Sequence, residues 1–214
     1  MCHREVVQQL VDELKIPTHK IDTSFVMARS TARHAFLREF AQIAIERNLD
    51  GACAECGVYR GEFARLINAH FPTKKLYLFD TFESFAPQDM KHEIPNVQKF
   101  SQLFANTSVE LVLSKMPNPT QCVVRKGWFP DTARGLEGER FCFVSLDMDL
   151  HDPILAGLMF FYPRLVRGGA ILVDDYFDPS FLGAKEAVDC FAREHHVVFA
   201  PIGDSSSIVL VKGT

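Results

Sequence analysis

Charge of one sign is what this sequence most lacks. Its 23 lysines and arginines face 27 aspartates and glutamates over 214 residues, a formal net charge of −4 with histidines neutral. There is no basic excess to neutralise phosphates, so no nucleic-acid partner is expected. Long apolar runs are missing too. No uncharged stretch approaches the roughly 20 residues that a membrane-spanning helix needs, and the opening MCHREVVQQL has no signal-peptide core. Cysteine is sparse: the six, at positions 2, 53, 56, 122, 142 and 190, fall mostly inside apolar runs, where a reduced thiol packs as a small hydrophobe. These absences point to a cytoplasmic chain with no membrane partner. Cys53 and Cys56 form a C-x-x-C pair, but no second such pair follows to complete a zinc site, and the reading as core thiols is the stronger. No internal repeat and no low-complexity stretch is present. The 47% of hydrophobic residues is enough to fill a core.

The pattern along the chain divides near residue 50. Residues 3–15 predict a short amphipathic helix, with Val6, Val7, Leu10, Val11 and Leu14 spaced three to four apart before Pro17. A second helix is predicted from a cap at Ser30 or Thr31, through Phe36, Leu37, Phe40, Ile43 and Ala44, to an end near Asn48 and Gly51. From residue 51, short apolar runs alternate with helical stretches. The runs are GACAEC, LYLFD, CVVRKG, FCFVSLDMD and AILVDD; the connecting segments include GEFARLINAH, a stretch around 96–115, DTARGLEG, ILAGLMFFYPRL and GAKEAVDCFAREH. Runs apolar on both faces and joined by helices imply an α/β fold with a covered parallel sheet. The end of the chain differs. HVVFAPIG and SSSIVLVKG have no room for a helix between them and must form an antiparallel hairpin, with His195-His196 at its start. The expected organisation is one structural domain, with an N-terminal helical cap over 1–50 and the core over 51–214. Residues 84–99, with Pro87 and Pro95, are the nearest thing to a flexible segment and, with the N-terminal helices, the natural covers for a ligand.

In an open α/β sheet, ligands bind beyond the carboxyl ends of the strands, so the residues closing each run carry the chemistry. The first run ends in Glu55-Cys56-Gly57-Val58-Tyr59-Arg60-Gly61. Its glycines let the backbone approach a ligand closely, while Glu55 would repel a pyrophosphate, which favours an uncharged or cationic ligand. The second run ends in Asp80, 23 residues after Gly57, near the spacing at which a carboxylate takes ribose hydroxyls; capping of the turn through Thr81 is the alternative. Trp128 and Phe129 follow the third run, where an adenine could be walled. The fourth run ends in Asp147-Met148-Asp149 and the fifth in Asp174-Asp175. If these strands are neighbours, ionised acids share one rim, and a divalent cation would relieve their repulsion. Oxygen-only ligands suit Mg²⁺, or Mn²⁺ and Ca²⁺, rather than zinc. His151, two residues past Asp149, reads more readily as a loop histidine than as a catalytic one. A parallel sheet closed by an antiparallel last strand is the arrangement of Rossmann-like class I methyltransferases.

Six ordered blocks carry a more specific likeness: Glu55 to Gly61, Leu78 to Glu83, Thr107 to Leu111, Lys126 to Thr132, Leu146 to Leu150 and Val173 to Tyr176. Over residues 51 to 194 the chain resembles the macrocin O-methyltransferase family. The resemblance implies metal-dependent methyl transfer from S-adenosylmethionine to a hydroxyl, usually on a sugar of a natural product or a polysaccharide. It implies that Glu55, Gly57, Tyr59 and Gly61 line the methionine end, that Asp80 with Thr81 takes the ribose, and that Trp128 and Phe129 lie near adenine. It also implies that Asp147, Asp174 and Asp175 hold Mg²⁺. The family often has tyrosine where this chain has His151.

On that reading, a cation held between two vicinal hydroxyls lowers the pKa of the one to be methylated, and Asp147 takes its proton, with Asp149 or His151 as the second choices. The implied partner is a small molecule or glycan with vicinal hydroxyls; a catechol-like phenol satisfies the same logic, and homo-oligomerisation stays open. A nicotinamide-dependent oxidoreductase lacks support, since the first turn has no G-x-G-x-x-G. A non-catalytic cofactor-binding module is the remaining rival, and the intact acids argue against it.

Overall fold

The computed structural model describes residues 24–92 and 104–213. The helix expected over 3–15 lies outside these residues, as do 93–99 of the 84–99 segment. The described chain folds as α1 (Ser24–Glu46), β1 (Ala52–Cys56), α2 (Glu62–His70), β2 (Leu76–Asp80), α3 (Val109–Ser114), β3 (Cys122–Lys126), β4 (Phe141–Leu146), α4 (His151–Phe161), β5 (Leu165–Val173), α5 (Leu182–His195), β6 (Phe199–Pro201) and β7 (Ile208–Val211). The seven strands form one sheet in the order β3-β2-β1-β4-β5-β7-β6. β1 to β5 are parallel neighbours in that order, and β7 runs antiparallel to both β5 and β6. The α/β sheet with an antiparallel terminal hairpin is therefore as the sequence predicts.

Every residue of β1 and β4 is buried. Alternate side chains feed two cores. On one face, Ala54, Cys56, Phe79, Val144 and Leu146 pack against Ile154, Leu158 and Phe161 of α4 and Val188 and Phe191 of α5. On the other, Cys53, Leu78, Phe143 and Leu172 meet Leu37, Phe40, Ala41 and Ala44 of α1, Ala64 and Ile67 of α2, and Val112 of α3. Period-two alternation thus sends Cys53 and Cys56 to opposite faces, which rules the C-x-x-C out as a paired dithiol or half of a metal site.

Three boundaries differ from the sequence reading. α1 begins before Ser30 and Thr31, which lie within the helix and do not cap it; nothing in Phe25 to Arg29 is a glycine or proline that would stop a helix there. DTARGLEG holds only a 3₁₀ turn at Asp131–Ala133, so β3 reaches β4 without a covering helix. β5 starts at Leu165, because Gly168 and Gly169 absorb a bulge within the strand rather than ending one: pairing jumps from Phe141 with Leu165 to Phe143 with Ala170. The histidine pair also moves, since His195 closes α5 and His196 caps it in a left-handed conformation (φ 54°) rather than opening the hairpin.

The crossovers leave β1 and β4 in opposite directions across the sheet, which opens a crevice beyond their carboxyl ends. Bonds continue past the strands and fix its floor: Gly57 N–H donates to Phe79 O (3.0 Å), Asp147 N–H to Cys56 O (2.9 Å) and Asp174 N–H to Leu146 O (2.9 Å). Gly57 adopts φ 83°, and a Cβ there would sit 1.7 Å from the Asp147 carbonyl oxygen. Gly57→Ala is expected to cost about 3 kcal/mol or more, roughly a 10 °C fall in thermal midpoint. A scanning calorimetry trace at the wild-type midpoint would show that the two loops do not need this approach.

Candidate active site

Each wall of the crevice comes from the end of a strand. A cleft of about 850 Å³ is lined by Gly57 and Tyr59 after β1, Asp80 and Thr81 after β2, Gly127, Trp128 and Phe129 after β3, and Asp147, Met148 and Asp149 after β4. Phe85, Asp89 and Phe104 close its outer side, so the described part of the 84–99 segment is a wall of this cleft. A second hollow, of about 1100 Å³, lies on the α1 and α2 side. It is lined by Arg33, Glu55, Phe63 and Asp174 among others, and shares Gly57, Tyr59 and Asp147 with the first.

Asp80 is held by the backbone. Its carboxylate accepts from Tyr59 N (2.8 Å) and Phe82 N (2.7 Å), and burial still raises its pKa against those bonds. Thr81 Oγ1 donates to Ser84 O (2.6 Å), turning the chain after β2. The Trp128 indole N–H donates to both carboxylate oxygens of Asp89 at 3.0 Å, which stands the ring up as a wall; burial raises the pKa of Asp89 despite that bond. Phe129 belongs more to the core, stacked on Phe161 and edge-on to Phe79. Gly61, also expected at the methionine end, is in the lining of neither hollow; it precedes α2 at φ 78°, where a Cβ would press on Val112 and Met116 at 3.1 Å, so packing alone calls for a glycine there.

β4 and β5 are neighbours, and the acids do share one rim. The trio whose ligand atoms all lie within 4.8 Å of one another is Asp147, Asp149 and Asp175. Asp174, also expected among the ligands, meets Arg33 and the hairpin: Oδ2 accepts from Arg33 Nη1 (2.5 Å), and Oδ1 lies 2.9 Å from the Ser207 hydroxyl, which also faces Asp204 Oδ2 at 2.6 Å. The same Arg33 nitrogen donates to Asp147 Oδ2 at 3.0 Å. Burial would lower the Arg33 pKa, but Asp174 and Asp147 outweigh it and raise it. The Asp147 carboxyl is pushed up to about 7 by burial and then by Asp174, with Arg33 pulling the other way. Asp149 is raised well above 3.8 by burial, then by Asp175 and Asp147. Glu55 is likewise raised by burial and by Asp147, and its Oε2 has no partner. His151 opens α4 with Nδ1 2.7 Å from Asp152 Oδ1, and lies in the wall of neither hollow.

Arg33, Asp89 and Ser207 are the site residues that sequence reasoning missed. Arg33 left a signal: with Leu37, Phe40, Ala41 and Ala44 it falls at helical spacing on the buried stripe of α1, where a charge needs a partner.

The strand order with its reversed β7, and the acid-rimmed cleft at the switch point, define a Rossmann-like methyltransferase. The macrocin O-methyltransferase (TylF) family model matches residues 22–207. The chain belongs to this family and is an S-adenosylmethionine-dependent O-methyltransferase. It is 26% identical over 181 residues to mycinamicin III 3''-O-methyltransferase of Micromonospora griseorubida, covering 75% of this chain and 68% of that protein. It is also 26% identical over 154 residues to 8-demethyl-8-(2,3-dimethoxy-alpha-L-rhamnosyl)-tetracenomycin-C 4'-O-methyltransferase of Streptomyces olivaceus, covering 65% of this chain and 58% of that one. Among solved structures, the O-methyltransferase NovP superposes with a TM-score of 0.71 at 22% identity over 86% of this chain and 80% of that one. No helix among the described residues is long and apolar enough to cross a membrane.

The raised acids give a signed pH dependence. A carboxyl raised from 3.8 to about 7 on folding favours the folded state below its unfolded pKa and loses that contribution as pH rises to about 7. In metal-free protein, Asp147→Asn is therefore expected to gain stability relative to wild type between about pH 4 and pH 7. Parallel urea melts of the two proteins at several pH values measure it; a constant difference would show that Asp147 is not raised.

Proposed function

We propose that the protein methylates a hydroxyl on the sugar moiety of a natural product, using S-adenosylmethionine and a divalent cation, in the cytoplasm. The observation that carries this is the acid trio Asp147, Asp149 and Asp175 beside a cleft turned by Gly57 and closed by Asp80 and Trp128. The names of both curated relatives end in O-methyltransferase, and one specifies a rhamnosyl group, which supports a sugar acceptor.

The donor chemistry fits the cation. Three carboxylates whose ligand atoms converge within 4.8 Å offer only oxygen, the set that Mg²⁺ and Mn²⁺ favour. When bound there, a divalent ion stabilises alkoxide character on a coordinated acceptor hydroxyl. The cleft fits adenosine: Asp80 stands at the end of β2 for the ribose hydroxyls, and the Trp128 indole, fixed by Asp89, offers an aromatic wall for the adenine ring. Glu55, with its unpartnered Oε2 in the adjoining hollow, suits the ammonium of the methionine end.

Asp147 is the base. Its Oδ1 is the oxygen that Arg33 does not engage, and a carboxylate so placed at the mouth of the cleft can take the proton of an acceptor hydroxyl. The aromatic residues Phe85, Phe104 and Trp128 give the cleft an apolar lining. His151, bonded to Asp152, takes no part in this scheme.

Asp147→Asn is expected to bind S-adenosylhomocysteine like wild type while losing on the order of 10²–10⁴-fold in turnover. Calorimetry and a methyl-transfer assay against a panel of vicinal diols, sugars and phenols together, measure both. Full turnover in the variant would remove Asp147 from the mechanism, and turnover of phenols alone would replace the sugar acceptor with a catechol-like one.

A further inference from the structure

Arg33 of α1 lines the second hollow and bonds to Asp147, which lines both. Its guanidinium lies over the Phe63 ring, 4.4 Å from the centroid, and spends one nitrogen on two carboxylates at once, Asp147 and Asp174. A second nitrogen, Nη2, donates at 3.4 Å to Ser145 Oγ. The third, Nε, is buried with no hydrogen-bond partner, and so is Glu55 Oε2. Both residues line the same hollow. One unsatisfied cationic donor and one unsatisfied carboxylate oxygen, on residues lining one hollow that shares Gly57, Tyr59 and Asp147 with the main cleft, form the complement of an α-amino acid zwitterion. Orphaned buried groups of this kind are costly unless a ligand meets them.

We infer that Arg33 couples the cofactor site to the cation site: it neutralises Asp147 and Asp174 while the hollow is empty, and shares its charge with the carboxylate of the cofactor's amino-acid end once that end is seated. This rests on the methyltransferase reading. Before cofactor binds, a resident guanidinium competes with a divalent ion for the field of the rim. After it binds, the guanidinium is partly neutralised, the rim is more negative, and the ion binds more tightly. Linkage makes the effect reciprocal, so the ion strengthens cofactor binding by the same factor. The cost of leaving two acids together without metal is thereby met by a side chain, and the full cation affinity appears only in the complex that can use it.

The test is Mn²⁺ binding by the intact chain, read from the electron paramagnetic resonance signal of the free ion. S-adenosylhomocysteine is the probe, because it has the amino-acid end without a sulfonium charge, and 5'-methylthioadenosine is the control, because it fills the adenosine cleft without that end. In wild type, S-adenosylhomocysteine should tighten Mn²⁺ by roughly tenfold and 5'-methylthioadenosine by less than about twofold. In Arg33→Met, Mn²⁺ should bind tightly from the start, with less than about twofold added by S-adenosylhomocysteine. Should that variant fail to fold without metal, Arg33→Lys keeps a cation against the acids but has no Nε–H, and it too should lose the coupling. Equal Mn²⁺ affinity with and without S-adenosylhomocysteine, equal tightening by the two nucleosides, or unchanged coupling in both variants would overturn the inference. A wild type that binds Mn²⁺ but not S-adenosylhomocysteine would instead overturn the cofactor reading, and the inference with it.

Discussion

The structure depends on crowding several carboxylates, two of them buried and two half-buried, at the shared end of two neighbouring strands. Asp147 and Asp149 follow β4, and Asp174 and Asp175 follow β5, so parallel pairing places four acids on one rim. Like charges so close cannot all ionise without a counter-charge. Much of the surrounding architecture supplies one or disperses the cost. α1 brings Arg33 to Asp147 and Asp174 while its apolar stripe packs on the sheet. The terminal hairpin contributes in another way, because the turn between β6 and β7 carries Ser206 and Ser207. The Ser207 hydroxyl sits between Asp174 and Asp204 at hydrogen-bond distance from both, and Ser206 Oγ accepts from the Asp175 backbone N–H. The reversed strand is therefore more than an edge closure: it returns the chain to the rim and puts hydroxyls where a further parallel crossover would deliver a helix.

Much of the fold was legible from the residues. Strands buried on both faces read as short apolar runs, and LYLFD is β2 residue for residue. The hairpin followed from the lack of room for a helix. Elements failed where local signals and tertiary context disagree. Gly168 and Gly169 look like a turn, but neighbouring β4 pairs on both sides of them, so they form a bulge inside β5. Ser30 and Thr31 look like caps, but a preceding stretch without glycine or proline carries the helix past them.

The site was legible in part, for a reason that lies in chain separation. Asp80, Asp147 and Asp175 close strands, and a strand end can be read from the run before it. Their grouping into a trio with Asp149 could not be read, because the left-handed turns at Asp149 (φ 62°) and Asp175 (φ 60°) re-aim the side chains. Which of the adjacent Asp174 and Asp175 meets Arg33 is likewise decided only by three-dimensional packing. The arginine itself is 114 residues from Asp147 and 141 from Asp174, so no spacing rule links them. Only its place on an apolar helical stripe marked it.

Backbone strain gathers where the chemistry is. Tyr59, Asp149 and Asp175 all hold positive φ without being glycine, at a cost of about 1 kcal/mol or more each. Such conformations persist only when neighbours determine them. Tyr59 gives its N–H to Asp80 and its carbonyl accepts from Thr107; the Asp175 N–H is held by Ser206. Tyr59 is thus fixed by Asp80 at the end of β2, and Asp175 by the hairpin that also reaches Asp174. The turn after β1, the acid after β2 and the loop before β7 form one set of restraints on the crevice. A methyl transfer needs the acceptor oxygen, the methyl carbon and the leaving sulfur aligned, and alignment of that kind is supplied by groups already in place before the reactants meet. A sheet whose strand ends all converge on one switch point can hold such groups from both sides at once.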